Sequence, residues 1–220
     1  GFIVVAVEKE GFLRVMPVGG ISMNASLTRH VTFGNGVKGV ISREPVREGE
    51  TPAMKHMFID IGAENEQEAL SMISLGDMAV YSNDCFRLGE NKVAAPAMDD
   101  RIACALLVAV LKELPAKTKN TIIAVFSTQE EVGCRGAAGA AFTQEPDIGI
   151  VLEGTTCNDL GDIPEVAQVC KAGQGVAVSF MDGASIANRD LFKKALAVGE
   201  KEGIAHQVKS SVSGGNDGGV

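Results

Sequence analysis

Two adjacent carboxylates, Glu130 and Glu131, stand in the stretch Ser127-Thr128-Gln129-Glu130-Glu131-Val132-Gly133-Cys134, directly after an apolar run at residues 121–126. A second acidic pair, Asp99-Asp100, opens a helical pattern, and Glu153 closes another apolar run. Carboxylates are oxygen donors for divalent cations, and one held beside a cation without ligating it can take the proton of an attacking water. Acids at three element ends are therefore what a metal-assisted hydrolase needs. Read singly, each has a plainer role. Asp99 or Asp100 suits a helix N-cap, where a carboxylate accepts otherwise orphaned backbone N–H groups. Glu130-Glu131 suits a solvated turn. Glu153, between Ile150-Val151-Leu152 and Gly154-Thr155-Thr156, is poorly placed for solvation and calls for a partner or a cation. The combination is harder to set aside than any member.

Other chemistry-bearing residues offer less. His30, His56 and His206 sit alone in β-like runs and read as packed or surface residues rather than ligands. Ser179, Ser185 and Cys134 have no nucleophile elbow and no base at a telling spacing. The run from Gly214 to Gly219 lacks the Lys-Ser/Thr that completes a phosphate loop. A glycosidase couple needs two carboxyl groups facing each other about 5 Å or more apart, which neighbours in sequence rarely do.

The acids need a frame to hold them. From about residue 93 the texture is helical patterns alternating with continuous apolar runs. Helices are expected at 100–114, stopped by Pro115, at 135–142, and at 188–202, followed by Gly203 as C-cap. Strands are expected at 121–126, 147–152, 175–180 and 205–210. This alternation implies an α/β domain with a largely parallel sheet covered on both faces. Ligands in such sheets bind beyond the carboxyl ends of the strands, where Glu130, Glu131 and Glu153 fall. Asp99 and Asp100, at a helix entrance, belong on the same edge. The first ninety or so residues read differently. Short β-like runs at 2–7, 12–16, 30–33, 37–41, 56–61 and 77–81 surround one helical pattern at 64–73. Glu8-Lys9-Glu10-Gly11 reads as a hairpin turn, and the whole as a small β-rich barrel or sandwich.

Composition excludes several partner classes. The 220 residues are 45% hydrophobic, enough for a packed core in one large or two small domains. The net charge of −8 without a Lys/Arg cluster argues against nucleic acid or an anionic membrane surface. No apolar run approaches the roughly 20 residues of a membrane span. Cys85, Cys104, Cys134, Cys157 and Cys170 are odd in number and scattered, so reduced thiols in a cytoplasmic protein are expected rather than a disulfide framework or a cysteine zinc site.

Four segments in order carry a resemblance: Asp99-Asp100-Arg101; Gln129-Glu130-Glu131-Val132-Gly133-Cys134-Arg135-Gly136-Ala137; Glu153-Gly154-Thr155-Thr156; and Gly214-Gly215-Asn216-Asp217. This set resembles the tetrahedral aminopeptidases, dinuclear metallopeptidases also called glutamyl or deblocking aminopeptidases and often labelled cellulase M. Pro17-Val18-Gly19-Gly20, Phe58-Ile59-Asp60-Ile61-Gly62-Ala63 and Gly76-Asp77 extend the likeness across essentially the whole chain. The resemblance implies a mostly parallel-sheet, phosphorylase/hydrolase-like catalytic domain at 1–11 and 89–220, with a PDZ-like β-rich insertion at 12–88 that mediates assembly. It implies two divalent metal ions, zinc or cobalt, and removal of N-terminal residues from peptide substrates. By its pattern Asp99 bridges the two ions, Glu131 binds one, Glu153 the other, Glu130 is the general base, and Asp217 lies in a loop that contacts substrate. It also implies a homo-oligomer of dimers building a twelve-subunit particle.

Three departures stand out. Glu153 occupies a place where many relatives carry Asp, and Asn216 one where they usually carry Thr. The family's His-x-Asp motif falls just ahead of a Gly-Phe that matches Gly1-Phe2, and its late His falls after the Gly-rich loop. On these 220 residues alone each metal shell therefore lacks an imidazole, and weak metal binding with no appreciable peptidase activity is expected. The competing expectations are an endoglucanase, disfavoured by the absence of Trp for sugar stacking, and a non-catalytic assembly module.

Overall fold

The structure, a computed structural model, describes every residue except Glu48, Ser211 and Ser213. It divides into two compact units, Gly1–Pro96 and Ala97–Val220.

The first unit is a closed six-stranded barrel. β1 (Phe2–Val7) and β2 (Leu13–Pro17) form the expected hairpin, in which Glu8 N donates to Phe12 O at 2.9 Å and Gly11 N to Glu8 O at 2.9 Å. Gly11 closes that turn at φ +86°, where an added Cβ would lie 2.5 Å from Ala63 O, so both conformation and space require glycine. A single turn of helix, α1 (Met23–Ser26), precedes β3 (His30–Phe33) and β4 (Lys38–Arg43), and β5 (Met57–Asp60) follows. α2 (Glu66–Met72) begins at Asn65, whose side chain accepts from Glu68 N, and leads to β6 (Met78–Tyr81). The strands pair antiparallel in the order β1-β2-β5-β4-β3-β6 and close back on β1.

Alternation explains the closure. Phe2, Val4, Leu13, Val15, Val31, Phe33, Ile41, Met57, Ile59 and Ala79 all point inward, and Ala69 and Ile73 add to the same core. Phe2 meets Tyr81 edge to face, with ring centroids 5.6 Å apart. A small hairpin of β7 (Phe86–Leu88) and β8 (Lys92–Ala94) completes the unit. The expected partition set 1–11 apart from 12–88. In the structure β1 pairs with both β2 and β6, so residues 2–7 are barrel residues, and the division between units falls after Pro96.

The second unit contains α3 (Met98–Glu113), α4 (Arg135–Gln144), β9 (Val176–Val178), α5 (Arg189–Lys201) and β10 (His206–Val208). β9 and β10 pair in parallel, as expected for a crossover through α5. Asn188 caps α5, its Oδ1 accepting from Asp190 N and Leu191 N at 3.0 and 3.1 Å, and Gly203 follows at φ +64°. The expected strands at 121–126 and 147–152 join no ladder among the described residues. Most of their apolar side chains are exposed, from Val125 at 41% to Ile150 at 79%. An apolar run can signal burial against a sheet, but a strand exists only where a neighbour supplies backbone hydrogen bonds, and periodicity says nothing about that neighbour. No helix among the described residues is long and apolar enough to cross a membrane.

Candidate functional site

All the acidic candidates lie in the second unit, on turns or, for Asp99 and Asp100, in the irregular first turn of α3. α3 starts irregularly. Ala97 is in the left-handed region at φ +52°, Asp99 and Asp100 depart from helical angles, and the Asp99–Asp100 peptide is cis. Asp100 takes the capping role, its Oδ1 accepting from Ala103 N at 3.2 Å. The same oxygen accepts from Gly154 N at 3.1 Å, which pins the turn after Glu153 to the start of α3. Asp99, relieved of capping, is exposed and lies against Gly154.

Glu130 and Glu131 occupy a 3₁₀ turn at Glu130–Val132, entered and left through left-handed residues, Gln129 at φ +60° and Gly133 at φ +115°. Glu130 O accepts from Gly133 N and Cys134 N at 2.9 and 3.0 Å, which tightens the turn into α4. At the head of α4, Gly136 N donates to Thr128 O at 2.9 Å. A Cβ on Gly136 would sit 2.5 Å from Thr128 N, so the close approach of these two backbones depends on glycine. The C-terminal segment joins through two polar pins. Ser127 Oγ donates to Asp217 Oδ2, and Asn216 Nδ2 donates to the buried Asp182 at 2.6 Å. Asp182 also accepts from Ala184 N, Ser185 N and Ser185 Oγ. Burial alone would raise the Asp182 carboxyl, but these hydrogen bonds outweigh it and hold it below its ordinary range.

Two donor clusters result, each with ligand-capable atoms within 4.8 Å of one another: Asp99, Asp100 and Glu153 in one, and Glu130, Cys134 and Asp217 in the other. Among the residues singled out in the sequence, Asp99 thus stands with Glu153, and Glu130 with Asp217. Glu131 is exposed and belongs to neither cluster. None of the three histidines is a member; His56, in the barrel unit, accepts from Ala53 N through Nδ1 at 3.0 Å.

The electrostatics of this region are crowded. Burial, followed by the charges of Asp100, Glu130 and Asp99 and a hydrogen bond with Asp99, pushes Glu153 up to about 8. Burial also raises Glu130; a hydrogen bond from the Cys134 thiol at 3.6 Å opposes it, and Glu131, Asp217 and Asp99 add to it. Asp100 rises chiefly through burial, against its two backbone hydrogen bonds. Asp217 Oδ1 is buried without a hydrogen-bond partner, a costly state for a carboxylate oxygen. Mutually repelling, partly desolvated carboxylates with a spare buried oxygen are the donor chemistry that divalent cations satisfy, so the residues present fit such ions.

The sequence assigns no site role to Ser127, Cys134, Asp182 and Asn216, whereas it marks Asp100 as one of the acidic pair at the helix entrance. Only Asp100 carried a local signal, its cap spacing to Ala103. Cys134 acts locally on Glu130, four residues earlier, and Ser127, Asp182 and Asn216 act through contacts between distant segments.

A sequence profile of the M42 glutamyl aminopeptidases matches residues 1–220. A protein of Acetivibrio thermocellus with a provisional aminopeptidase name is 37% identical over 219 residues, covering 99% of this chain and 65% of that protein. The chain thus spans less than two-thirds of that relative's length. Among solved structures, the aminopeptidase APDkam598 of the archaeon Desulfurococcus kamchatkensis superposes with a TM-score of 0.92 at 29% identity, over 99% of this chain and 63% of that one. The TET1 peptidase of Pyrococcus horikoshii, which can assemble into a tetrahedron or a large octahedral shell, superposes with a TM-score of 0.83 at 30% identity, over 99% of this chain and 67% of that one. The chain belongs to the M42 glutamyl aminopeptidase family.

Proposed function

We propose that the whole protein is a metal-dependent aminopeptidase whose carboxylate machinery is the second unit of this chain. The observation that carries the reading is the convergence of acids from three separate segments. The charges of Asp99, Asp100 and Glu130 all act to raise Glu153, and that of Asp99 also acts to raise Glu130. A surface with no cation to hold has little reason to gather them.

In this reading Asp99, Glu153 and Glu131 would hold two divalent cations. The ions, zinc or cobalt when bound, would supply a polarised carbonyl and a water of lowered pKa. Glu130 is the general base. Its carboxylate takes a proton from the attacking water and returns it to the departing amine nitrogen. The Cys134 thiol, donating to Glu130 Oε1, orients that carboxylate. Asp100 fixes the spacing between Asp99 and Glu153 by holding the start of α3 and Gly154 N with one oxygen. Asp217, drawn in by Ser127, brings the Gly-rich C-terminal loop alongside as a substrate contact.

The barrel unit is proposed as the PDZ-like assembly module, by analogy with the P. horikoshii peptidase that builds large shells. The runs at 121–126 and 147–152 are proposed as strands of a larger parallel sheet in the whole protein. A cytoplasmic site of action accords with five free thiols. These 220 residues by themselves should bind zinc only weakly, for want of imidazole donors in either cluster.

The test pairs metal analysis with two substrates. The proposal expects bound divalent metal and hydrolysis of aminoacyl-p-nitroanilides that chelator abolishes. Cellulose hydrolysis insensitive to chelator would make the protein an endoglucanase instead, and neither metal nor hydrolysis in the whole protein would leave it an assembly module.

A further inference from the structure

Two cysteines outside the acid clusters meet sulfur to sulfur. Cys170 Sγ donates to Cys157 Sγ at 3.5 Å. The surrounding backbone clamps them together: Cys157 O accepts from both Val169 N at 2.9 Å and Cys170 N at 3.2 Å. Side-chain bonds hold the flanks, with Asn158 Nδ2 donating to Ala167 O at 3.0 Å and Ala172 N to Asp159 Oδ2 at 2.8 Å. The pair is asymmetric. Cys170 is buried, whereas Cys157 is partly exposed. Neither serves the acid clusters, and both sulfurs are free thiols in the structure.

We propose that Cys157 and Cys170 form a reversible oxidation site that closes the 157–170 segment with a disulfide when the protein meets a peroxide. A disulfide needs its sulfurs about 2.05 Å apart, so the present contact requires only a small approach of side chains on backbones already hydrogen-bonded to each other. Exposure and the accepted S–H bond make Cys157 the attacking sulfur. Its thiolate attacks one oxygen of hydrogen peroxide, the O–O bond breaks, and the departing hydroxide takes up the displaced proton as water, leaving a sulfenic acid on Cys157. Cys170 sulfur then attacks Cys157 sulfur, the S–O bond breaks, and hydroxide leaves with the Cys170 proton as a second water. Two thiols lose two electrons and one peroxide gains them. Burial first, and the hydrogen bond to Cys157 second, hold the Cys170 thiol up at about 11, which keeps it protonated until its partner is oxidised. A dithiol reductant reverses the link by exchange.

The test reads the sulfurs, not peptidase activity. Reduced protein is treated with hydrogen peroxide, alkylated and digested. Trypsin releases residues 136–171, which carry both cysteines. That peptide should lose both alkylatable thiols and be lighter by two hydrogen atoms, and cleavage after Glu165 should give two fragments that separate only on reduction. In Cys170→Ser, dimedone should capture a sulfenic acid at Cys157. The Cys85→Ser/Cys104→Ser variant should form the same link. Oxidation of Cys157 to sulfinic acid with Cys170 still alkylatable would overturn the proposal. So would links running mainly through Cys85, Cys104 or Cys134, or a Cys157–Cys170 link forming equally well in denaturant.

Discussion

The two units of this chain solve different problems. In the barrel unit, alternate residues of six strands converge on one core in which Phe2, Leu13, Val31, Ile41, Met57 and Ile59 are fully buried. Among the described residues of the second unit the buried apolar side chains are Ala103, Val169 and Cys170, none of them fully enclosed. Ile102, Leu106, Val110 and Leu111 along α3 are each more than 40% exposed. All the clustered acids lie in this second unit. The barrel is specified by burial, and the candidate site by polar pins between turns: Asp100 to Gly154, Ser127 to Asp217 and Asn216 to Asp182.

The largest effect expected from this contrast is in the core. Ile59→Ala empties space inside the barrel, between strands that pair on both sides of β5, and should cost about 2–5 kcal/mol in chemical denaturation. Val166→Ala in the second unit, 91% exposed, should stay within about 0.5 kcal/mol. Equal losses at the two positions would break the comparison.

A smaller effect is expected where the site depends on a backbone approach. Gly136→Ala drives a Cβ against the Thr128 backbone and should destabilise by about 1–3 kcal/mol, read by the same unfolding assay. Peptidase activity should fall with it, because the displaced turn carries Glu130. Unchanged stability and activity would mean that this approach is not needed to shape the site.

The smallest effect is a pH slope. Glu153 is held up at about 8 in the folded protein, against 4.5 for the unperturbed group. The folded state therefore binds more protons than the unfolded state between those values. Its contribution is most favourable below the unfolded value and is lost as pH rises toward 8. Metal-free protein should lose stability across that interval, Glu153→Gln should flatten the loss, and a divalent cation should reverse it by favouring ionised carboxylates. A slope unaltered by Glu153→Gln would contradict the crowding.

Legibility in the sequence follows the same divide. β1 at Phe2–Val7 and β3 at His30–Phe33 have the expected bounds, because alternation is a local signal that barrel closure preserves. α5 was also readable, since its apolar stripe and the Gly203 that follows it lie within one segment, although Asn188, expected to be helical, is instead the N-cap. β7 and β8 escaped notice because neither alternates between buried and exposed positions. The runs at 121–126 and 147–152 are apolar but pair with no neighbour among the described residues, and a local pattern does not say which neighbour would pair with them. In the site, the acids were legible from their place after apolar runs. Their pins were not, because these join residues 54, 34 and 90 positions apart, and no local pattern encodes such pairs. The division of labour between Asp99 and Asp100 lies between these cases, since capping was foreseeable for the pair but not which member would take it.

The central claim is that Glu130 moves protons while its neighbours hold metal. It is tested most directly by Glu130→Gln in the whole protein, with metal content and aminoacyl-p-nitroanilide turnover measured on the same sample. The account predicts metal content near that of the unaltered protein and a fall in kcat of about 10²–10⁴-fold. Near-normal turnover would contradict the assignment of the base. Loss of metal together with activity would instead make Glu130 a ligand alongside Cys134 and Asp217.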